Sequence, residues 1–126
     1  MEKTKGQLEA EISEAIIKFE KEYMGRGPLE TKSYIIDDLI IIRLKGVLTQ
    51  AEKQLARADA NPRGRDLIKQ VRIELLEKGR HLLESAIYEI IGVKIVSLHT
   101  DISVKTGERV IIFTLDDKPR FKAIRE

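Results

Sequence analysis

Apolar residues between Asp66 and Ile91 recur at steps of three and four, which is the longest unbroken helical period in the chain. This spacing predicts an amphipathic helix roughly 40 Å long, and we interpret it as the element on which the other segments pack. Gly79 falls within the apolar stripe. Because glycine destabilises a helix by about 1 kcal/mol relative to alanine, we expect another backbone to approach closely there. The residues predicted to face the core are Ile68, Val71, Leu75, Leu82, Ala86 and Ile90, widened by Leu67, Leu83, Ile87 and Ile91.

A second helix is predicted near the start of the chain. Thr4 and Gln7 have the spacing of a capping box, in which each side chain bonds the backbone amide of the other residue. An apolar face with helical spacing follows, and Gly25 supplies the left-handed stop that commonly ends a helix. These signals predict a helix from about Lys5 to Met24.

A third, shorter helix is predicted in the middle of the chain. Thr49 and Glu52 repeat the capping-box spacing and give the clearest local signal in the sequence. The helix should run from Gln50 to about Ala58. Its apolar positions predict that Ala51 and Leu55 are buried.

Two runs rich in β-branched residues flank the pair Asp37 and Asp38 and predict a β-hairpin. The first run, Glu30 to Ile36, alternates between two faces, as the residues of a half-buried strand do. The second run, Leu39 to Leu44, is apolar on both faces, which is typical of a central or covered strand.

Val93 to Val104 and Arg109 to Leu115 predict a second hairpin around the turn Lys105–Glu108. The predicted order is α-β-β-α-α-β-β. Its simplest two-layer arrangement is an α+β fold, in which the two hairpins form one four-stranded antiparallel sheet and the long helix and two others cover one face. We expect a single domain over residues 1–115 and a polar C-terminal tail over residues 116–126. The helices carry more apolar surface than one small sheet covers, which predicts a homo-oligomer, most simply a dimer.

Composition excludes several classes of protein. Of the 126 residues, 42% are hydrophobic and 35% are charged, and the net charge of +2 comes from interleaved signs. No block of like charge therefore indicates a nucleic-acid arm or a membrane-surface tail. The chain has no cysteine, which excludes disulfides, a thiol nucleophile and thiolate metal sites. No run approaches the roughly 20 apolar residues of a membrane span, and no motif indicates a catalytic site, a cofactor or a metal. We expect a cytoplasmic, non-enzymatic protein.

His99 and Asp101 lie two residues apart on a predicted strand, so their side chains share one face. Such a pair could act in acid–base chemistry or bind a metal. A divalent metal usually takes three or more protein ligands, however, and His81 is the only other histidine. We favour a hairpin edge on which His99 hydrogen-bonds a neighbour across the strands.

Two turn-like stretches could bind ions. Asp37 and Asp38 could hold a cation, but turns recruit aspartate for backbone reasons alone, and we favour that interpretation. Gly25-Arg26-Gly27-Pro28, together with Lys32, could hold an anion on free backbone amides. This stretch follows a helix and lacks the phosphate-loop pattern, so a bend is favoured.

The densest group of basic residues surrounds the loop before the long helix and the first turns of that helix. Its members are Arg57, Arg63, Arg65, Lys69 and Arg72. A solvated helix face is the simplest interpretation, because nearby Asp59, Asp66 and Glu74 dilute the charge and no Trp supplies a stacking platform for bases. Contact with a nucleic-acid backbone is the alternative function.

Four stretches of the chain form one combined pattern. They are Gly25-Arg26-Gly27-Pro28, Tyr34 to Leu44, Gly46-Val47-Leu48-Thr49 through Glu52, and His99 to Ser103 with Thr106-Gly107-Glu108. Together they resemble a bacterial family that was formerly classed as a domain of unknown function and is named after the MpsC component of a sodium-translocating, membrane-potential-generating system. The resemblance covers nearly the whole chain, from the first helix to Leu115.

This resemblance implies an accessory subunit associated with cation transport, in which an integral membrane partner carries out the transport. It supplies no catalytic residues. Polar residues at turns and strand positions within these stretches are the side chains that a partner could recognise. We therefore predict a partner-binding set of Arg26, Asp37, Asp38, His99 and Asp101.

Overall fold

The computed structural model describes residues 2–57 and 63–122. Its seven elements follow the predicted order, and the α+β class is confirmed. The four strands form one antiparallel sheet in the order β1-β2-β4-β3. The elements are α1 (Lys5–Tyr23), β1 (Glu30–Ile36), β2 (Leu39–Lys45), α2 (Gln50–Ala56), α3 (Arg63–Ile91), β3 (Ile95–Ser103) and β4 (Glu108–Leu115).

The two central strands carry the core of the sheet. Across β2 and β4, Ile40 pairs with Phe113 and Ile42 with Ile111, and all four side chains are fully buried under the helices. Because successive side chains of a strand point to opposite faces, the alternate residues of every strand face away from the helices. The prediction that β2 is a central strand is confirmed.

The face of α3 that points inward matches the predicted one only in part. Ile68, Leu83, Ile87 and Ile91 are buried as predicted. Leu67, Val71 and Leu82, which were also predicted to face the core, are 46%, 52% and 57% exposed. The helix has apolar residues on two adjacent faces, so its period predicts a helix without deciding which face is covered. Packing against α1 and the sheet decides it. The buried residues of α3 are Gly64, Ile68, Arg72, Leu76, Gly79, Leu83, Ile87 and Ile91.

Gly79 does mark a close approach, but the approaching group is an aromatic side chain. A Cβ atom at Gly79 would lie 2.6 Å from Cε1 of Phe19 and 3.2 Å from Cδ1 of Tyr23. These two rings of α1 stack on each other with centroids 4.9 Å apart. The absent side chain therefore lets α1 pack against the middle of α3. The expectation of a close backbone is wrong.

The short helix α2 is attached through the polar contacts of Glu52 and through half-buried Ala56, which packs against the core. Its capping box between Thr49 and Glu52 is formed as predicted. None of its residues is buried, however, and Leu55 is 42% exposed. The predicted burial of Ala51 and Leu55 is therefore wrong. The side of α2 that faces α3 carries Glu52, whose carboxylate accepts hydrogen bonds from Arg72. The predicted end near Ala58 lies outside the described residues.

The segment that follows β4 returns to the start of α1. The backbone amide of Lys122 donates to the carbonyl of Lys3 at 2.7 Å, and Thr4 and Lys122 form an isolated parallel bridge. Residues 123–126 of the predicted tail lie outside the described residues. Across residues 2–57 and 63–122, no helix combines the length and apolar content that crossing a bilayer requires.

Candidate functional site

The sheet has one face that no helix of the described residues covers, and its middle is apolar. Tyr34, Ile41 and Ile112 lie side by side in one cross-strand row, which His99 completes on β3. On the edge strand, Tyr34 is 44% exposed and Ile36 is 49% exposed. Exposed apolar side chains that touch one another mark interaction surfaces more often than scattered ones do. We define the open sheet face as Tyr34, Ile36, Leu39, Ile41, Val110 and Ile112.

Ion pairs border one end of the open sheet face. Glu30 lies 3.8 Å from Lys32 and 3.7 Å from Lys45, and Arg43 Nε lies 2.7 Å from a carboxylate oxygen of Glu108. Exposed pairs of this kind contribute little to stability. Their place around an apolar centre matches the polar rim of a protein–protein interface.

Asp37 and Asp38 lie at the opposite end, in the turn between β1 and β2. Asp37 has φ of 53°, a left-handed conformation that aspartate tolerates better than most residues. The carbonyl of Asp38 accepts a hydrogen bond from the amide of Leu115 at 2.8 Å, and Asp37 lies 3.8 Å from Lys118. Both residues thus have turn roles and remain on the border of the open sheet face.

His99 and Asp101 share the outward side of β3, as predicted from their spacing. His99 Nε2 lies 3.3 Å from the hydroxyl of Ser97 on its own strand, and Lys69 approaches the carboxylate of Asp101 at 3.5 Å. Asp101 also accepts a hydrogen bond from the amide of Ile102. Within residues 2–57 and 63–122, no three His, Asp or Glu side chains come together as a metal site.

Arg26 lies away from the other four candidate residues. Its guanidinium Nη1 donates to the carbonyl of Leu48 at 2.9 Å. This bond ties the segment after α1 to the segment before α2. The structure therefore brings Asp37, Asp38, His99 and Asp101 to the border of the open sheet face and gives Arg26 a contact between two connecting segments.

The predicted basic patch is smaller than expected. Arg57, Arg63 and Arg65 are exposed, and Lys69 is half-buried beside Asp101. Arg72 is only 2% exposed, so the expectation that it belongs to a basic surface is wrong. The side chain lies inside the protein because α3 presents the face of Ile68 and Leu76 to the core, and Arg72 falls between them.

Arg72 belongs to a buried charge cluster, defined as Glu20, Glu52, Arg72 and Arg109. Arg72 donates to both carboxylate oxygens of Glu52, at 2.6 and 2.9 Å, and to the carbonyl of Val47 at 2.7 Å. Glu20 lies 3.6 Å from Arg72 and 3.6 Å from Arg109. Two positive and two negative charges thus join α1, α2, α3 and β4.

The two carboxylates of this cluster differ in environment. Burial raises the pKa of Glu20 above its ordinary value, and the charges of Arg109 and then Arg72 oppose this effect. Both oxygens of Glu20 are buried, and no group in the described part of the chain donates a hydrogen bond to either of them, so its desolvation is only partly offset. Burial also raises the pKa of Glu52, but hydrogen bonds from Arg72 and Thr49 outweigh it and lower that pKa.

Sequence reasoning missed Glu20 and Arg109, yet a signal for each was present. Glu20 stands four residues after Ile16, on the apolar face of α1, and Arg109 occupies the inward alternation of β4 with Ile111 and Phe113. A charged residue at a core position of a clear period predicts a buried ionic partner. The sequence alone does not show which residue that partner is.

Comparisons with known proteins agree on one family. A family profile described as "Na+-translocating membrane potential-generating system (MpsC)" matches residues 4–117. "Uncharacterized protein YbcI" of Bacillus subtilis (strain 168) is 46% identical over 115 residues, which cover 91% of this chain and 90% of that protein. "Uncharacterized protein YrhF" of the same organism is 28% identical over 109 residues, covering 86% and 87%. No solved structure matches significantly.

Proposed function

This chain belongs to the MpsC family, and from that premise we propose that it is a cytoplasmic, non-enzymatic accessory subunit. It acts by binding a protein component of a sodium-translocating, membrane-potential-generating system. The name of the family supports the proposed role in this system. The open sheet face supports protein binding as the mode of action. We further propose that the partner is an integral membrane component, because the family description names a membrane potential-generating system.

The open sheet face is the observation that carries the proposal. An antiparallel sheet with one solvated face normally carries polar residues there, whereas Ile41 and Ile112 occupy the centre of this one. Asp37, His99 and Asp101 stand around that centre, each with at least one polar atom directed to solvent or to a neighbouring exposed group. An apolar centre with a polar border is the usual anatomy of a protein-binding surface.

The experiment is a mild affinity purification of the tagged chain from its native cells with membranes included, analysed by mass spectrometry. We expect stoichiometric recovery of one integral membrane protein that survives a salt wash. The variant Tyr34→Glu with Ile36→Glu should lose this protein, because it places two charges on the open sheet face beside its apolar centre. The control Ile73→Glu changes a side chain with 51% exposure on α3 and should retain it.

Two outcomes would overturn the proposal. Equal recovery of the membrane protein by the double variant would exclude the open sheet face as the binding surface. Recovery of nucleic acid instead, released by moderate salt, would favour the alternative function through Arg57, Arg63 and Arg65, because counterion release makes such binding steeply salt-dependent.

A further inference from the structure

α3 carries a second apolar stripe that the single chain leaves partly uncovered. Leu67 is 46% exposed, Val71 52% and Leu82 57%. Leu75, Ala86 and Ile90 continue the same stripe and are half-buried. We define these six residues as the outer stripe. It lies beside the face that packs against the core, which explains why the helix reads as broadly apolar in sequence.

The two halves of the outer stripe have different shapes. Leu67 and Val71 project from the N-terminal half of α3 as a ridge. Over the C-terminal half, α1 runs alongside and the two helices enclose a groove of about 770 Å³. The apolar residues that line this groove are Leu8, Ala15, Phe19, Tyr23, Leu82, Leu83, Ala86 and Ile90.

The spacing of the outer stripe is self-complementary. Leu75 and Leu82 stand at equal distances on either side of the midpoint between Lys78 and Gly79. Val71 and Ala86 form a second such pair, and Leu67 and Ile90 form a third. If two copies of α3 cross antiparallel at this midpoint, the two members of each pair lie opposite each other, one on each copy. Each of the three pairs then forms two apolar contacts, one in each direction, as an isologous two-fold contact requires.

The area is also sufficient. The 29 residues of α3 span about 43 Å at 1.5 Å per residue. α3 alone presents a strip about 10 Å wide, and α1 widens the strip to about 20 Å over the C-terminal half, so the contact covers about 650 Å² on each copy. This area lies near the lower end of what each partner contributes to a stable interface.

From these observations we propose that two copies of this chain associate through the outer stripe. The ridge of each copy enters the groove of the other, with the two α3 helices antiparallel. The helices then form the centre of the dimer, and both open sheet faces remain exposed on its outside.

Sedimentation velocity of the full chain over a range of concentrations is the first test. We expect a dimer for the native chain and for Ile73→Glu, whose side chain has 51% exposure on a different face of α3. Val71→Glu, at a position with 52% exposure, should raise the dimer dissociation constant at least about tenfold, since it buries a charge in the contact. Circular dichroism should show both variants equally folded.

Cross-linking tests the register, because the chain has no cysteine of its own. The variant Val71→Cys with Ala86→Cys should form a covalent dimer on mild oxidation. Positions 71 and 86 of one helix are about 22 Å apart, which is too far for a disulfide within the chain. Val71→Cys alone is the control and should stay largely uncross-linked, since its own counterpart lies equally far away.

Three results would overturn the proposal. The first is a native chain that remains monomeric at all concentrations, which is the result expected if a helix of another protein fills the groove. The second is equal dimer formation by Val71→Glu and Ile73→Glu. The third is cross-linking of the single cysteine variant as efficient as that of the double variant, which would indicate a parallel or differently placed contact.

Discussion

Replacing Arg72 by Met removes the centre of the buried charge cluster. The side chain is 2% exposed and holds Glu52 through two hydrogen bonds and the carbonyl of Val47 through a third. Its loss leaves Glu20, 1% exposed, with Arg109 as its remaining cation in the cluster. Breaking a buried ion pair from one side typically costs about 3–5 kcal/mol. This is a large part of the roughly 5–15 kcal/mol that stabilises a domain.

The assay is urea unfolding followed by circular dichroism at neutral pH. The matched control is Arg80→Met on the same helix, because Arg80 also pairs with two glutamates, Glu77 and Glu84, but is 34% exposed. Such surface pairs contribute about 0.3–0.5 kcal/mol each, so this control should lose less than about 1 kcal/mol. Arg72→Lys keeps the charge but not the two-pronged hydrogen-bond geometry. Its loss of stability should therefore lie between those of Arg72→Met and Arg80→Met.

A loss for Arg72→Met no larger than that for Arg80→Met would refute the reasoning. It would mean that the folded state fills the vacated space with water or that Glu52 contributes nothing by holding α2. Hydrogen exchange of the α2 amides separates these explanations, because α2 has no buried residue and depends on Glu52 for its attachment.

Three further predictions concern packing, pH and capping. Gly79→Ala should destabilise the chain by about 1–3 kcal/mol, because its Cβ would lie 2.6 Å from Phe19, whereas Gly6→Ala, with nothing within 4 Å, should be neutral or stabilising in thermal unfolding. The pKa of Glu20 is raised above 4.5, so the native state binds more protons than the unfolded state between 4.5 and the folded pKa. The stability of the native chain relative to Glu20→Gln should therefore fall as pH rises through that window, and urea unfolding at several pH values would show a constant difference if the pKa were not raised. Thr49→Ala should reduce stability by about 1 kcal/mol, because it removes the cap of α2. The change should appear as faster hydrogen exchange of the α2 amides than of the α1 amides. Unchanged exchange of the α2 amides would contradict this prediction.

Local structure was largely determined by the sequence alone. The capping boxes at Thr4 and Thr49 and the left-handed glycine at position 25 mark helix boundaries that the structure confirms. These signals act between residues three or four apart, so they need no knowledge of the rest of the chain. The alternation along Glu30–Ile36 predicted two faces for this strand, although not that the face of Ser33 and Ile35 is the buried one.

Only the tertiary structure decided how those elements meet. The period of α3 left two apolar faces, and packing on α1 and the sheet buried the one that contains Arg72 and exposed the one that contains Val71. The pairing of β2 with β4 brought Ile41 beside Ile112, which made an apolar centre from strands about seventy residues apart. Glu20 and Arg109 became neighbours in the same way. Hydrophobic burial has no direction of its own, so a stripe shows that a face can be covered, and the shapes of the other elements decide which face it is.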